Sequence, residues 1–207
     1  MNVNRLAAIA WNAAFLFCLP LSAQRAGSAL PSDRIFEAIG LQPSSTACEV
    51  GAGNGELTIR AASTVGSAGH VFASELGEAH LKTLRDRVAA SGKANIVVVA
   101  GDPEKTNFPD AGCDALFLRD VYHHFTNPAS MDAAIFVALK PGGRVAIIDF
   151  TPPGKEASKP EDRAKDGMHG VTAETVVREM KEAGFDVVSS ERPDHRWFLA
   201  VFARPLR

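Results

Sequence analysis

The sequence predicts an α/β domain built on a doubly wound, mostly parallel sheet. Three observations carry that expectation. Short apolar runs alternate along the chain with longer segments of helical periodicity, the pattern of parallel strands covered on both faces. A glycine-rich stretch, "CEVGAGNGELT" (48–58), joins the first run to the first such helix. The acidic residues Glu75, Asp102 and Asp120 recur at the carboxyl ends of later runs, the rim where open α/β sheets bind their ligands.

The elements follow in order. "TACEV" (46–50) is a short strand, and "GELTIRAASTVG" (55–66) a helix closed by Gly66. "HVFASE" (70–75) is a strand, and "GEAHLKTLRDRVAASG" (77–92) a helix with Leu81, Leu84 and Val88 at helical spacing. "NIVVVAGD" (95–102) and "DALFLRD" (114–120) are strands. "NPASMDAAIFVALKPGG" (127–143) reads as a helix ended by Pro-Gly-Gly, before a fifth strand, "RVAIIDF" (144–150). The polar, proline-rich segment 151–170 reads equally as a lid or as a solvated linker. A helix follows at 172–184. "FDVVSSER" (185–192) and "RWFLAVFARP" (196–205) form an antiparallel hairpin with Pro193 and Asp194 in its turn. No repeat and no second domain is visible.

The 207 residues suffice for one domain with a full core. Lys plus Arg number 22 against 24 Asp plus Glu, so the balance gives no electrostatic reason to expect a nucleic-acid partner. Residues 1–23 have a basic start, an apolar stretch and a small-residue ending, which reads as a secretory signal peptide or an N-terminal anchor. The expectation is an exported or periplasmic protein. A membrane-anchored or cytoplasmic one is the alternative, and membrane association through this segment stays open. The domain itself is expected over 30–207. Export would permit a disulfide between Cys48 and Cys113, but the two are expected at different heights in the sheet and so unbridged.

The glycine loop reads G-x-G-x-G. It lacks the G-x-G-x-x-G spacing of dinucleotide binders and the Lys-Ser/Thr of a P-loop, and Glu56 at the helix start would repel a pyrophosphate. A nicotinamide-dependent oxidoreductase is thereby disfavoured, whereas a cofactor carrying a sulfonium cation tolerates that carboxylate.

Taken together, "CEVGAGNG", the acidic end of "VFASE", "AGD" after the third strand and "LKPGGRVAIIDF" resemble class I S-adenosylmethionine-dependent methyltransferases over roughly residues 30–205. "GDPEKTNFPDAGCDALFLRDVYHHF" resembles the ubiquinone/menaquinone-biosynthesis C-methyltransferase group and its small-molecule relatives. The resemblance implies a seven-stranded Rossmann-like methyltransferase fold with S-adenosylmethionine as cofactor. It implies that Glu49 orients the methionine end, and that Gly51, Ala52 and Gly53 let the backbone pass close to the ligand. Glu75 would accept the ribose hydroxyls and Asp102 the adenine amino group, while Arg119 and Asp120 would line the floor. Each acid keeps a plain alternative: a surface position for Glu49, a helix-dipole partner for Glu75, an Asx turn for Asp102.

The expected reaction is in-line methyl transfer to a small-molecule acceptor. Methylation of protein carboxyls of the isoaspartyl type is an alternative, as is cofactor binding without catalysis. Within "RDVYHHF", Tyr122, His123 and His124 are the catalytic candidates, with His123 preferred as a general base because it is nearer the strand end. Packing is the alternative for all three. No metal is expected, since two histidines need a third ligand that no further motif supplies. The acceptor and the oligomeric state are not legible.

Overall fold

A computed structural model describes residues 30–206. The leader read at 1–23 lies outside the described residues. The elements are α1 (Ser32–Ala38), β1 (Thr46–Val50), α2 (Glu56–Val65), β2 (His70–Glu75), α3 (Glu78–Ser91), β3 (Ile96–Ala100), β4 (Cys113–Arg119), α4 (Pro128–Ala138), β5 (Leu139–Phe150), α5 (Ala173–Glu182), β6 (Asp186–Glu191) and β7 (Trp197–Ala203).

These strands form one seven-stranded sheet in the order β3-β2-β1-β4-β5-β7-β6. The first five pair in parallel, and β7 inserts antiparallel between β5 and β6. The expected doubly wound sheet with its closing hairpin is therefore observed. In the hairpin turn the Asp194 carboxylate accepts from the amides of Arg196 and Trp197, each at 2.7 Å.

The central strands β1, β4, β5 and β7 are buried on both faces, which is why they read as continuous apolar runs, while the edge strands β3 and β6 are largely exposed. Alternate residues serve different layers. Leu116, Leu118, Val145, Ile147, Phe198 and Phe202 pack under α4 and α5, while Ala47, Phe117, Ala146, Ile148 and Val201 pack under α1 and α2. The helix α1 was not expected; it is one short turn-pair whose Ile35 and Phe36 are buried.

Three sequence expectations need correction. The first concerns Pro141-Gly142-Gly143, which does not end a helix. Helix α4 stops at Ala138, and β5 begins at Leu139 and carries these residues through an irregular start, with Gly142 at φ +79°. Pairing with β4 slips register there, and the Gly142 amide donates to the Arg204 carbonyl.

The second concerns segment 151–170, which is strapped to the domain. Arg163 is buried and donates to both oxygens of Glu179 at 3.0 and 2.6 Å. Glu156 accepts from the amide of Thr172 at 3.0 Å and from the hydroxyls of Thr172 and Thr175, tying the strap to the start of α5.

The third concerns the cysteines. Cys48 and Cys113 form a disulfide, with Cα atoms 5.9 Å apart. Strands β1 and β4 are direct neighbours, and Cys113, the first residue of β4, lies in the same buried cluster as Cys48, Leu116 and Leu118. The bridge closes a sequence separation of 65 residues. On the chain-entropy account such a loop is worth about 4 kcal/mol. Replacing both cysteines by serine should lower the unfolding free energy by about that amount, as measured by urea denaturation beside the native chain.

Candidate functional site

At the carboxyl ends of β1, β2, β3 and β4 lies a cavity of about 940 Å³. It opens where the strand order reverses between β1 and β4, the switch point of a doubly wound sheet. Its walls include every residue the sequence assigned to a cofactor: Glu49, Gly51, Ala52, Gly53, Glu75, Asp102, Arg119 and Asp120. With Glu56 they present five acidic side chains against Arg119 and Lys105. Such a lining suits a cationic ligand rather than a pyrophosphate.

The loop geometry follows from its glycines. Gly51 has φ +68°, and a Cβ there would meet Val121 Cγ2 at 2.5 Å. Only glycine lets the end of β1 lie against the segment leaving β4. Gly53 has φ +54° but nothing within 4 Å of a Cβ, so its side opens into free space. Its amide donates to Glu75 at 2.6 Å, and the Leu76 amide donates to the other Glu75 oxygen at 2.8 Å. A carboxylate has about four acceptor sites, so Glu75 keeps capacity for two hydroxyls. The apolar side chain of Leu76 lies half-exposed in the same wall.

Glu49 is buried and accepts from the Thr58 hydroxyl. Burial pushes its pKa up to about 8, against the lowering effects of Thr58 and Arg119. Asp102 lines the cavity and also makes the Asx turn, its Oδ1 accepting from the Glu104 amide at 2.9 Å. Arg119 approaches Glu56 at 3.8 Å. Asp120 holds φ +61°, a strained backbone for a residue with a side chain, and burial raises its pKa.

The catalytic candidates separate. His124 lines the cavity, but Tyr122 and His123 do not. The Tyr122 hydroxyl is buried and bonded to Asp132 at 2.7 Å and Glu179 at 3.1 Å, so its expected catalytic place is corrected to a supporting one. Burial and these two acids push its phenol far above the ordinary value. The preference for His123 over His124 also fails on position. Residues 122–124 form a 3-10 turn rather than an extended strand, and the turn carries His123 inward. There Nδ1 of His123 lies 2.9 and 3.0 Å from the Asp149 oxygens. The third ligand that two histidines were expected to lack is also present, because the strap brings His169 to the pair. Asp149 was missed, although an acid at the end of the fifth strand follows the same pattern as Glu75. His169 had no sequence signal, since only the folded strap places it.

Residues 41–192 match the family described as Methyltransferase domain. The chain belongs to that family. Its cofactor is S-adenosylmethionine, and the site fits that molecule: the acid-lined cavity suits its sulfonium and ammonium, and Glu75 retains two acceptor positions. The chain is 33% identical over 120 residues to the ubiquinone/menaquinone biosynthesis C-methyltransferase UbiE of Ectopseudomonas mendocina, covering 58% of this chain and 47% of that protein. The chain thus spans about half the length of the curated relatives it matches. A solved S-adenosylmethionine-dependent methyltransferase from Aquifex aeolicus shares the fold at TM-score 0.71 and 22% identity, covering 83% of this chain and 88% of that one. A phosphoethanolamine N-methyltransferase 2 of Haemonchus contortus, solved with S-adenosyl-L-methionine, does so at TM-score 0.70 and 18% identity, covering 84% and 52%.

Two outcomes follow from this geometry. Gly51→Ala should drive a methyl into Val121, lowering stability by about 1–3 kcal/mol in thermal melts and weakening S-adenosylhomocysteine binding. Glu49 should couple binding to pH. Its raised pKa means the folded apo-protein holds a proton that the unfolded chain releases near the ordinary value of 4.5, so this group's contribution to stability falls as pH rises from there to about 8. A cationic ligand favours the carboxylate. Binding should therefore release a proton at neutral pH and tighten as pH rises toward about 8. Calorimetry in buffers of different ionisation heat checks this, and Glu49→Gln should abolish the proton release.

Proposed function

We propose that this chain transfers a methyl group from S-adenosylmethionine to a small-molecule acceptor. The observation that carries this reading is the acid-lined cavity with Glu75 in its wall, held by two backbone amides and still able to accept. When bound, the cofactor supplies a methyl group already activated by its sulfonium. The protein's part is then alignment and exclusion of water. Glu75 and Gly53 hold the ribose end, and Asp102 presents a carboxylate toward the base. Glu49, beside Gly51 and Ala52, takes the ammonium. Arg119, Asp120 and His124 face the side where an acceptor would enter.

The cavity's apolar members, among them Leu76, Phe125 and Met131, support an acceptor or cofactor with flat or apolar parts. The C-methyltransferase named among the relatives supports a carbon acceptor in particular. The disulfide supports the further reading that the domain works in an oxidising compartment. Recovery of the chain from the periplasmic fraction, cleaved behind residue 23, would bear that out; an intact Met1 in cytosol would refute it.

The reading is tested by incubating the protein with methyl-labelled cofactor and a metabolite extract, followed by mass spectrometry. A labelled small molecule is expected; label on polypeptide alone would favour a protein carboxyl acceptor instead. Glu75→Ala removes charge-assisted acceptors, so S-adenosylhomocysteine affinity should fall about 10- to 150-fold by calorimetry.

A further inference from the structure

His123, His124 and His169 converge from two separate stretches of chain. One ligand atom of each lies within 4.8 Å of the others. Nε2 of His123 and Nε2 of His169 are 2.9 Å apart. Nδ1 of His123 faces both oxygens of the buried Asp149. That carboxylate accepts the Nδ1 proton, which leaves a lone pair on Nε2 pointing at the cluster. A carboxylate behind one imidazole is the usual outer partner of a metal-bound histidine.

The place is built rather than incidental. The Phe150 ring lies 4.9 Å from the His123 ring and 5.2 Å from the His169 ring, closing one side. His169 is delivered by the strap: the Gly170 amide donates to Arg163 at 3.0 Å, and Val171 donates to the Phe150 carbonyl at 3.0 Å. Gly170 has φ +130°, and a Cβ there would meet the Phe150 carbonyl oxygen at 2.5 Å. Only a glycine after His169 lets the strap lie this close to β5.

We propose that His123, His124 and His169 bind one divalent transition-metal ion of the zinc class. Tetrahedral zinc with bonds of about 2.0–2.1 Å holds its ligand nitrogens about 3.4 Å apart, and the observed separations bracket that spacing. Three imidazoles suit zinc, cobalt, nickel, copper or iron and leave a coordination position open. His123 is buried while His124 and His169 are exposed, so the open position faces outward. His124 also belongs to the wall of the cofactor cavity, which sets the ion at its rim. There it would take an oxygen donor of the methyl acceptor. That last assignment rests on the methyltransferase reading; metal binding itself does not.

The full chain, stripped with chelator and dialysed, is titrated with Co²⁺ and then Zn²⁺. One Co²⁺ per chain is expected, with visible bands of a four- or five-coordinate ion that Zn²⁺ removes. His169→Ala, on the exposed strap, should abolish those bands while S-adenosylhomocysteine still binds. Asp149→Asn should weaken zinc about 10- to 100-fold. Absence of the bands, or bands that His169→Ala retains, overturns the metal site. Labelled methyl transfer that is undiminished after metal removal overturns the acceptor assignment. Loss of S-adenosylhomocysteine binding by the native, metal-free chain would count against the cofactor reading and leave the cobalt result to decide the metal alone.

Discussion

The parallel pairing of β1 with β4 is the constraint on which the rest of the site depends. It runs from Ala47 beside Ala115 to Glu49 beside Phe117, and the cysteine bridge joins the same two strands. Crossovers leave these strands toward opposite ends of the sheet, to β2 on one side and β5 on the other. The loops beyond their ends must therefore diverge and leave a crevice. Gly51 lies against Val121 in that crevice, where a side chain on the glycine would meet Val121 Cγ2 at 2.5 Å.

A charge pattern is laid over that geometry. The cavity's carboxylates collect at the strand ends, beyond the apolar, buried faces of the central strands. Glu49 is carried deep, and its environment favours the protonated form until a cation arrives. Asp149 occupies the equivalent depth under β5, where its partner is an imidazole.

A second polar network supports the far side of the crevice. Tyr122 bonds to Asp132 on α4 and to Glu179 on α5, and Glu179 holds Arg163 of the strap. Burial pushes Asp132 up to about 7 and keeps the Tyr122 phenol protonated, so the hydroxyl can donate. One buried hydroxyl thereby joins the histidine turn, two helices and the strap. The single tyrosine of the sequence is thus bonded into the interior, next to the histidine turn and away from the cavity wall.

Sequence alone determined the layers, the strand sequence, the closing hairpin and the acidic residues at the strand ends. Each of these is local: period-2 or period-3.6 burial, a glycine turn after a strand, an acid at a strand end. Every residue from Glu49 to Asp120 assigned to the cofactor lines the cavity for that reason. Tertiary structure decided what depends on register and on long-range return of the chain. Cys48 pairs in register with Leu116, three residues beyond Cys113, yet the fold brings the two cysteines within bridging distance. A 3-10 turn, rather than extended chain, turned His123 inward and left His124 in the wall. His169 lies 46 residues beyond His123 in a polar stretch without periodicity, and long-range contacts such as the Arg163–Glu179 pair, the Val171 amide on the Phe150 carbonyl and a glycine against β5 bring it back. Such contacts leave no pattern in composition or spacing, because they are made by side chains whose neighbours are chosen by the fold.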